Sequence, residues 1–128
     1  MLLHKNVNQE IQMSKLIDNS VFTPEQKALW LEELRNGRNI QARRQLRKYK
    51  DANKTIVIGR CCLAVCMDKV INKTELGQLL DTNSWTKLVC MNDGRVYSTD
   101  DKPDEIVKEY SFLEIADWIE ANVSTIDD

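Results

Sequence analysis

Three of the chain's four cysteines lie within the nine residues RCCLAVCMD (60–68), and two of them are adjacent. Cysteine thiolates bind zinc and act as nucleophiles, so this stretch could hold a metal ion or a catalytic cysteine. Zinc sites usually take cysteine pairs separated by about two to four residues. Because neighbouring side chains on a helix point about 100° apart, Cys61 and Cys62 cannot both reach one ion. The spacing therefore argues against a metal site, and we expect neither a metal nor a cofactor.

A cysteine nucleophile is the second chemistry that this stretch could support. A thiol at a helix N-terminus beside Arg60 is expected to have a lowered pKa, which would make it reactive. Cysteine hydrolases also need a base, normally histidine, and the only histidine is His4. A cysteine-dependent enzyme therefore stays an alternative. The simpler interpretation is that Cys62 and Cys66 pack in the core and that Cys61 lines a pocket.

The charges of the chain are distributed unevenly. Residues 35–50, RNGRNIQARRQLRKYK, carry seven basic residues and no acid, whereas residues 100–128 carry ten acids and two lysines. Such a basic segment attracts phosphates, nucleotides or an acidic protein surface, unless it faces the acidic segment within the fold or is simply solvated. Nucleic-acid binding is disfavoured, because the net charge is −2 and no aromatic ladder interleaves the arginines.

Length and hydropathy indicate the class of protein. A chain of 128 residues can bury one core, and no apolar run approaches the roughly 20 residues of a membrane helix. The N-terminus does not resemble a signal peptide. We therefore expect a cytoplasmic protein with no membrane partner, in which residues 1–21 form an N-terminal extension and residues 22–128 a single globular domain.

Two segments carry clear signals for helices. In TPEQKALWLEELRNG, Thr23 can cap the helix, Gln26 completes a capping box, and Gly37 ends it. In SFLEIADWIEAN, Ser111 and Glu114 form a second capping box before an apolar stripe. We expect both helices, 24–36 and 112–122, to pack against the cysteine-containing segment.

The middle of the chain is predicted to mix short helices with a small sheet. TIVIG (55–59) is typical of a buried strand, and both CCLAVCMDKVI and NKTELGQLLD have the apolar spacing of helices. Residues 38–54 are a basic connection that could include one helical piece. The segment 84–99 is either a helix ending near Asn92 or two strands that turn at Asn92-Asp93-Gly94, and we favour a turn for that pair. The predicted fold is a compact, mostly helical α+β domain with a two- or three-stranded sheet around TIVIG and the segment near Val96.

Three blocks of the sequence together resemble a family of small proteins found mainly in bacteriophages and in bacterial genomes that carry prophages. They are LWLEELRNGRNIQARRQLR, CCLAVCMD, and MNDG followed by SFLEIADWIE, and they span roughly residues 24–122. The family pattern usually has glycines at the positions of Ala42 and Arg44, so the basic segment is expected to be more helical here. The resemblance implies a phage accessory protein that acts in the host cytoplasm.

This resemblance favours binding over catalysis. The first hypothesis is that the domain sequesters a small anionic, nucleotide-like ligand, such as a host defence signal. Its arginines would grip phosphates, Trp30 or Tyr49 would stack on a base, and Gln41, Asn92 and Asp93 would read polar edges. The alternatives are an inhibitor that docks on a host protein and the cysteine enzyme, and a homo-oligomer stays open. The candidate ligand-binding residues are Trp30, Arg35, Gln41, Arg43, Arg44, Arg47, Cys61, Asn92 and Asp93.

Overall fold

The computed structural model describes residues 21–72, 75–98 and 101–128. Residues 1–20, with His4 and almost all of the predicted N-terminal extension, lie outside the described residues. Within the described part, five helices and four short strands form an α+β domain, which confirms the predicted fold class. No helix in these three ranges is long and apolar enough to cross a membrane.

The first and last helices have the capping boxes that the sequence predicts. Helix α1 comprises Pro24–Arg35 and is capped by Thr23, and helix α5 comprises Phe112–Asn122 and is capped by Ser111. In both helices, the side-chain oxygen of the capping residue accepts a hydrogen bond from the backbone N–H three residues later. The side chain at that later position in turn accepts a hydrogen bond from the backbone N–H of the capping residue. Local sequence therefore determines where both helices begin.

Three further helices follow along the chain. Helix α2 is Cys62–Lys69, as predicted, α3 is Leu76–Leu79, and α4 is Thr82–Asp93. Because residues 84–93 belong to helix α4, the alternative of two strands that turn at Asn92-Asp93-Gly94 is wrong. Gly94 then ends the helix in the left-handed region, at a position where any side chain would collide with Glu109.

Two separate antiparallel sheets flank these helices. Strands β1 (Arg47–Tyr49) and β2 (Val57–Arg60) form the first, and β3 (Arg95–Val96) and β4 (Glu105–Ile106) the second. The predicted strand near Val96 thus pairs with β4 and does not join β2. The helical piece considered for residues 38–54 is wrong, because residues 47–49 pair with β2 instead.

The core lies between α1, α2, α4 and α5. Helix α1 packs against α2 and α5, while α5 packs against α1 and α4. The predicted packing against the cysteine-containing helix α2 is therefore confirmed for α1. Helix α5 packs mainly against α1 and α4 instead. Phe22 stacks on Trp30 with 5.5 Å between ring centroids, and the indole N–H of Trp30 donates to the Cys62 carbonyl at 3.0 Å. This bond ties α1 to the first turn of α2.

Candidate functional site

Asn92, in the last turn of α4, connects three parts of the chain. Its side chain is 1% exposed. The Nδ2 group donates to the Ala42 carbonyl at 2.8 Å and to Oδ1 of Asp93 at 2.9 Å. The Oδ1 atom accepts from Nε2 of Gln41 at 3.0 Å and from the Cys62 backbone N–H at 3.2 Å. Both amide hydrogens and both oxygen lone pairs are used, so this side chain fixes the basic segment against α2 and α4.

Arg43 and Arg44 attach the same segment to α4 in different ways. Nη1 of Arg43 donates to the carbonyls of Asn92 at 2.6 Å and Tyr110 at 3.3 Å, so its guanidinium serves as a structural clamp. Arg44 instead binds through its backbone, whose N–H donates to Oδ1 of Asp93 at 2.8 Å. Its guanidinium Nη1 lies 3.5 Å from the Asp93 carbonyl and 3.6 Å from Glu109. Nε and Nη2 of Arg44 make no ion pair or hydrogen bond to other described residues.

Arg44 is one of the residues that line a cleft with a volume of about 360 Å³. The lining comes from the basic segment, the beginning of α2, helix α4 and Tyr97. The Tyr97 hydroxyl donates to Oδ2 of Asp93 at 2.7 Å, and partial burial together with this bond raises the pKa of Tyr97 to about 12. Both carboxylate oxygens of Asp93 therefore accept hydrogen bonds from protein groups. The lining residues are Arg44, Gln45, Leu46, Cys61, Cys62, Leu63, Trp85, Val89, Asn92, Asp93 and Tyr97.

The cysteines of this region are buried thiols. Cys61 lines the cleft as predicted, but burial raises its pKa, so the predicted lowered pKa is wrong. Its Sγ atom accepts a hydrogen bond from the Ala64 backbone at 3.4 Å and caps α2. Burial also raises the pKa of Cys62 and Cys66, which pack in the core as predicted. Among the described residues, no three histidine, cysteine or acidic side chains are grouped so that they could hold a metal ion.

The structure brings six of the nine candidate residues together: Gln41, Arg43, Arg44, Cys61, Asn92 and Asp93. Trp30 is a correction, because it is fully buried in the core and cannot stack on a ligand. Arg35 is another, since it pairs with Asp117 at 2.9 Å and Glu120 at 3.1 Å on α5, away from the lining of the cleft.

Arg47 is the third correction to the predicted arginine cluster. Together with Arg60 it faces Asp68, at 2.6 and 2.7 Å respectively. The hydrogen bond from Arg47, followed by that from Arg60, lowers the pKa of Asp68 to about 2. The predicted convergence of Arg35, Arg43, Arg44 and Arg47 on one ligand is therefore not found: only Arg44 of these four lines the cleft.

Sequence reasoning missed the aromatic side chains of the cleft. Trp85 and Tyr97 both line it, with Val89 between them along the chain. A signal was present, because Trp85, Val89 and Asn92 are spaced by four and three residues and share one face of a helix. It could be read only once this segment was known to be helical and not two strands.

Comparison of the chain with protein-family models, with curated proteins and with solved structures found no match. The resemblance to small phage proteins therefore stays a prediction.

Proposed function

We propose that this domain is a non-enzymatic binding protein that holds a small organic anion with a planar ring in the cleft lined by Arg44. The observation that carries the proposal is that Arg44, whose guanidinium is incompletely paired, lines a largely apolar cavity together with two aromatic residues, Trp85 and Tyr97. The volume of about 360 Å³ falls within the usual range of small-molecule sites.

The backbone of Arg44 supports a role in binding. Its φ is 62°, a left-handed conformation that costs a residue with a side chain roughly 1–2 kcal/mol. The hydrogen bond from its N–H to Asp93 holds it there. Strained residues of this kind concentrate at binding sites, where neighbouring contacts fix the direction of a functional side chain.

The chemistry of the lining defines the ligand. A planar ring would lie against Trp85 and Tyr97, and a carboxylate, sulfonate or phosphate would accept hydrogen bonds from Arg44. Asp93 also lines the cleft and works against an anion there. Three hydrogen bonds from protein groups to its oxygens lessen this repulsion. A single anionic group suits the site better than a polyphosphate, since Arg35, Arg43 and Arg47 are occupied by other protein groups.

In the setting that the family resemblance implies, the ligand would be a nucleotide-derived signal of host defence, which the phage protein removes by sequestration. Stoichiometric capture needs no catalytic group. A raised pKa at Cys61 supports this view over the cysteine enzyme, because a neutral buried thiol is a poor nucleophile.

The test is a thermal-shift screen of nucleoside monophosphates, nucleoside triphosphates and aromatic carboxylates, followed by calorimetry on any hit. A ligand at about 100 times its Kd stabilises the folded state by roughly 2.7 kcal/mol, which raises Tm by several degrees. Arg44→Asn should remove the shift, since asparagine tolerates the left-handed conformation but lacks the cation. Arg38→Asn is the matched control, because Arg38 is exposed and lies outside the cleft. Equal binding by both variants would exclude Arg44 from the site.

Docking on an acidic host protein is a second candidate function. Ile40, Ile56 and Ile58, in or next to the first sheet, are exposed at 68%, 51% and 39%, so TIVIG is not the buried strand that the sequence predicts. Lys48 and Lys50 are exposed beside them and make no ion pair within the described residues. The test is capture from host lysate: Ile56→Ser should abolish retention of a specific partner, and Arg44→Asn should leave it unchanged. The opposite pattern would contradict docking through this face.

A further inference from the structure

A second cavity, with a volume of about 250 Å³, adjoins the cleft along α4. Trp85, Val89 and Tyr97 line both cavities, so the two spaces adjoin at these three residues. The remaining lining of the second cavity is Thr86, Cys90 and Val96. None of these six side chains is a carboxylate, a guanidinium or an amine, in contrast to the cleft, whose lining includes Arg44 and Asp93.

Tyr97 is one of the residues that line both spaces. Its hydroxyl donates a hydrogen bond to Asp93, which lines the cleft and is not part of the second cavity's lining. The residue is 44% exposed. Tyr97 can therefore contact a group in the cleft and a group in the adjoining cavity.

We propose that the ligand is an aromatic acid in two parts: an anionic ring that meets Arg44 in the cleft, and a second, uncharged apolar group that occupies the cavity between Thr86 and Val96. This inference rests on the proposed function of the cleft. Its chemical basis is that only the cleft has a cationic side chain in its lining. A charged group in the second cavity would lose water without gaining a counterion. An apolar group there gains the free energy of burial.

Two commercial probes separate the two parts of the proposal. Naphthalene-1-sulfonate has a planar ring and one anionic group, whereas 8-anilinonaphthalene-1-sulfonate adds an apolar phenyl group. Both should bind, and burial of the additional ring should lower Kd by about tenfold or more. Kd is measured by calorimetry for naphthalene-1-sulfonate and by fluorescence for its anilino derivative.

Substitutions on α4 test whether the lower Kd of the anilino probe comes from the second cavity. Thr86 is exposed on α4 and lines that cavity, so Thr86→Phe should fill it and return the Kd of the anilino probe to that of naphthalene-1-sulfonate. Asn83→Phe places the same side chain on an exposed position of α4 that lines neither cavity, and it should leave both Kd values unchanged. Val96→Phe fills the cavity from β3 and serves as the second test if Thr86→Phe lowers Tm.

Cys90 gives an independent readout because it lines the second cavity and is half-buried. The anilino probe should slow its alkylation by N-ethylmaleimide, measured by mass spectrometry, while naphthalene-1-sulfonate at equal occupancy should not. If both probes bind equally well and neither protects Cys90, the second part of the ligand is overturned and the proposed function of the cleft stands. If neither probe binds but a nucleotide does, the two-part aromatic acid is overturned and the proposed function stands. If neither probe nor any compound of the thermal-shift screen binds, both proposals are overturned.

Discussion

The side-chain amide of Gln41 donates a hydrogen bond of 3.0 Å to the side-chain oxygen of Asn92, which lies 51 positions later in the chain. The same Gln41 nitrogen also donates to the Tyr110 carbonyl at 2.9 Å. Through these bonds the basic segment, the end of α4 and the start of α5 form one polar layer. The adjacent Asp93 holds the backbone of Arg44, which lines the cleft, so the geometry of the cleft depends on hydrogen bonds as well as on apolar packing.

Asn92→Asp should strongly destabilise the fold although it changes one atom type. The new oxygen would face the Ala42 carbonyl and the Asp93 carboxylate, both of which now accept hydrogen bonds from Nδ2. A buried, uncompensated carboxylate or two lost hydrogen bonds should lower the free energy of unfolding by about 3 kcal/mol. Urea denaturation measures this loss.

Asn83→Asp is the matched control for that change, because Asn83 is exposed in the first turn of α4. A carboxylate near a helix N-terminus is neutral or slightly stabilising. A similar loss of stability in both variants would show that Asn92 has no special role in the polar layer.

Arg44→Gly should be more stable than Arg44→Ala by roughly 1 kcal/mol, because alanine retains the left-handed penalty at φ 62° and glycine does not. At Gln45, whose φ is not positive, the order should reverse, since glycine there only adds conformational entropy to the unfolded chain. Thermal unfolding of the four variants measures both differences. The same order at both positions would contradict a strained backbone at Arg44.

Asp68 should make the stability of the protein depend on acid pH. Its pKa falls from 3.8 to about 2 on folding, so its contribution is fully present above pH 4 and is lost as the pH falls towards 2. Because Asp68 is partly exposed, solvent screening reduces the corresponding contribution to about 1 kcal/mol. The difference in unfolding free energy between wild type and Asp68→Asn should therefore be largest near pH 6 and shrink on acidification.

Asp101→Asn is the control for this pH dependence, because Asp101 is exposed and makes no ion pair with a described residue. Chemical denaturation at pH 6, 4 and 3 measures the three proteins. A difference for Asp68→Asn that stays constant over this range would mean that the contacts with Arg47 and Arg60 do not perturb the carboxylate.

Cys90 should be the first cysteine to react with iodoacetamide in the folded protein. It is half-buried, whereas Cys61, Cys62 and Cys66 are buried and burial raises the pKa of each. Peptide mass spectrometry after alkylation at pH 8, with and without urea, measures the order. Faster labelling of Cys61 than of Cys90 would restore the cysteine enzyme as an explanation of the cleft.

Several elements could be predicted because their signals are local. The capping boxes at Thr23 and Ser111 each involve residues three positions apart, and the spacing of apolar residues in α2 repeats within one or two turns. The polar pair Asn92-Asp93 has no such local signal. The sequence favours a turn for it, which is wrong because the chain continues as a helix to Asp93. The pair is buried because Ala42, Gln41 and Cys62 supply hydrogen-bond partners for Asn92.

The sequence by itself determined the α+β class, the bounds of the capped helices, the core position of Cys62 and Cys66, and the contrast between a basic and an acidic segment. Only the tertiary structure decided which basic residues face a cleft. Arg35 meets Asp117 and Glu120 more than 80 positions away, and Arg47 meets Asp68, so their charges are offset by partners that no local pattern reveals. Arg44 lines the cleft because Asp93, at the end of α4, holds its backbone through a hydrogen bond. This contact joins residues 49 positions apart, so it forms only when the chain folds.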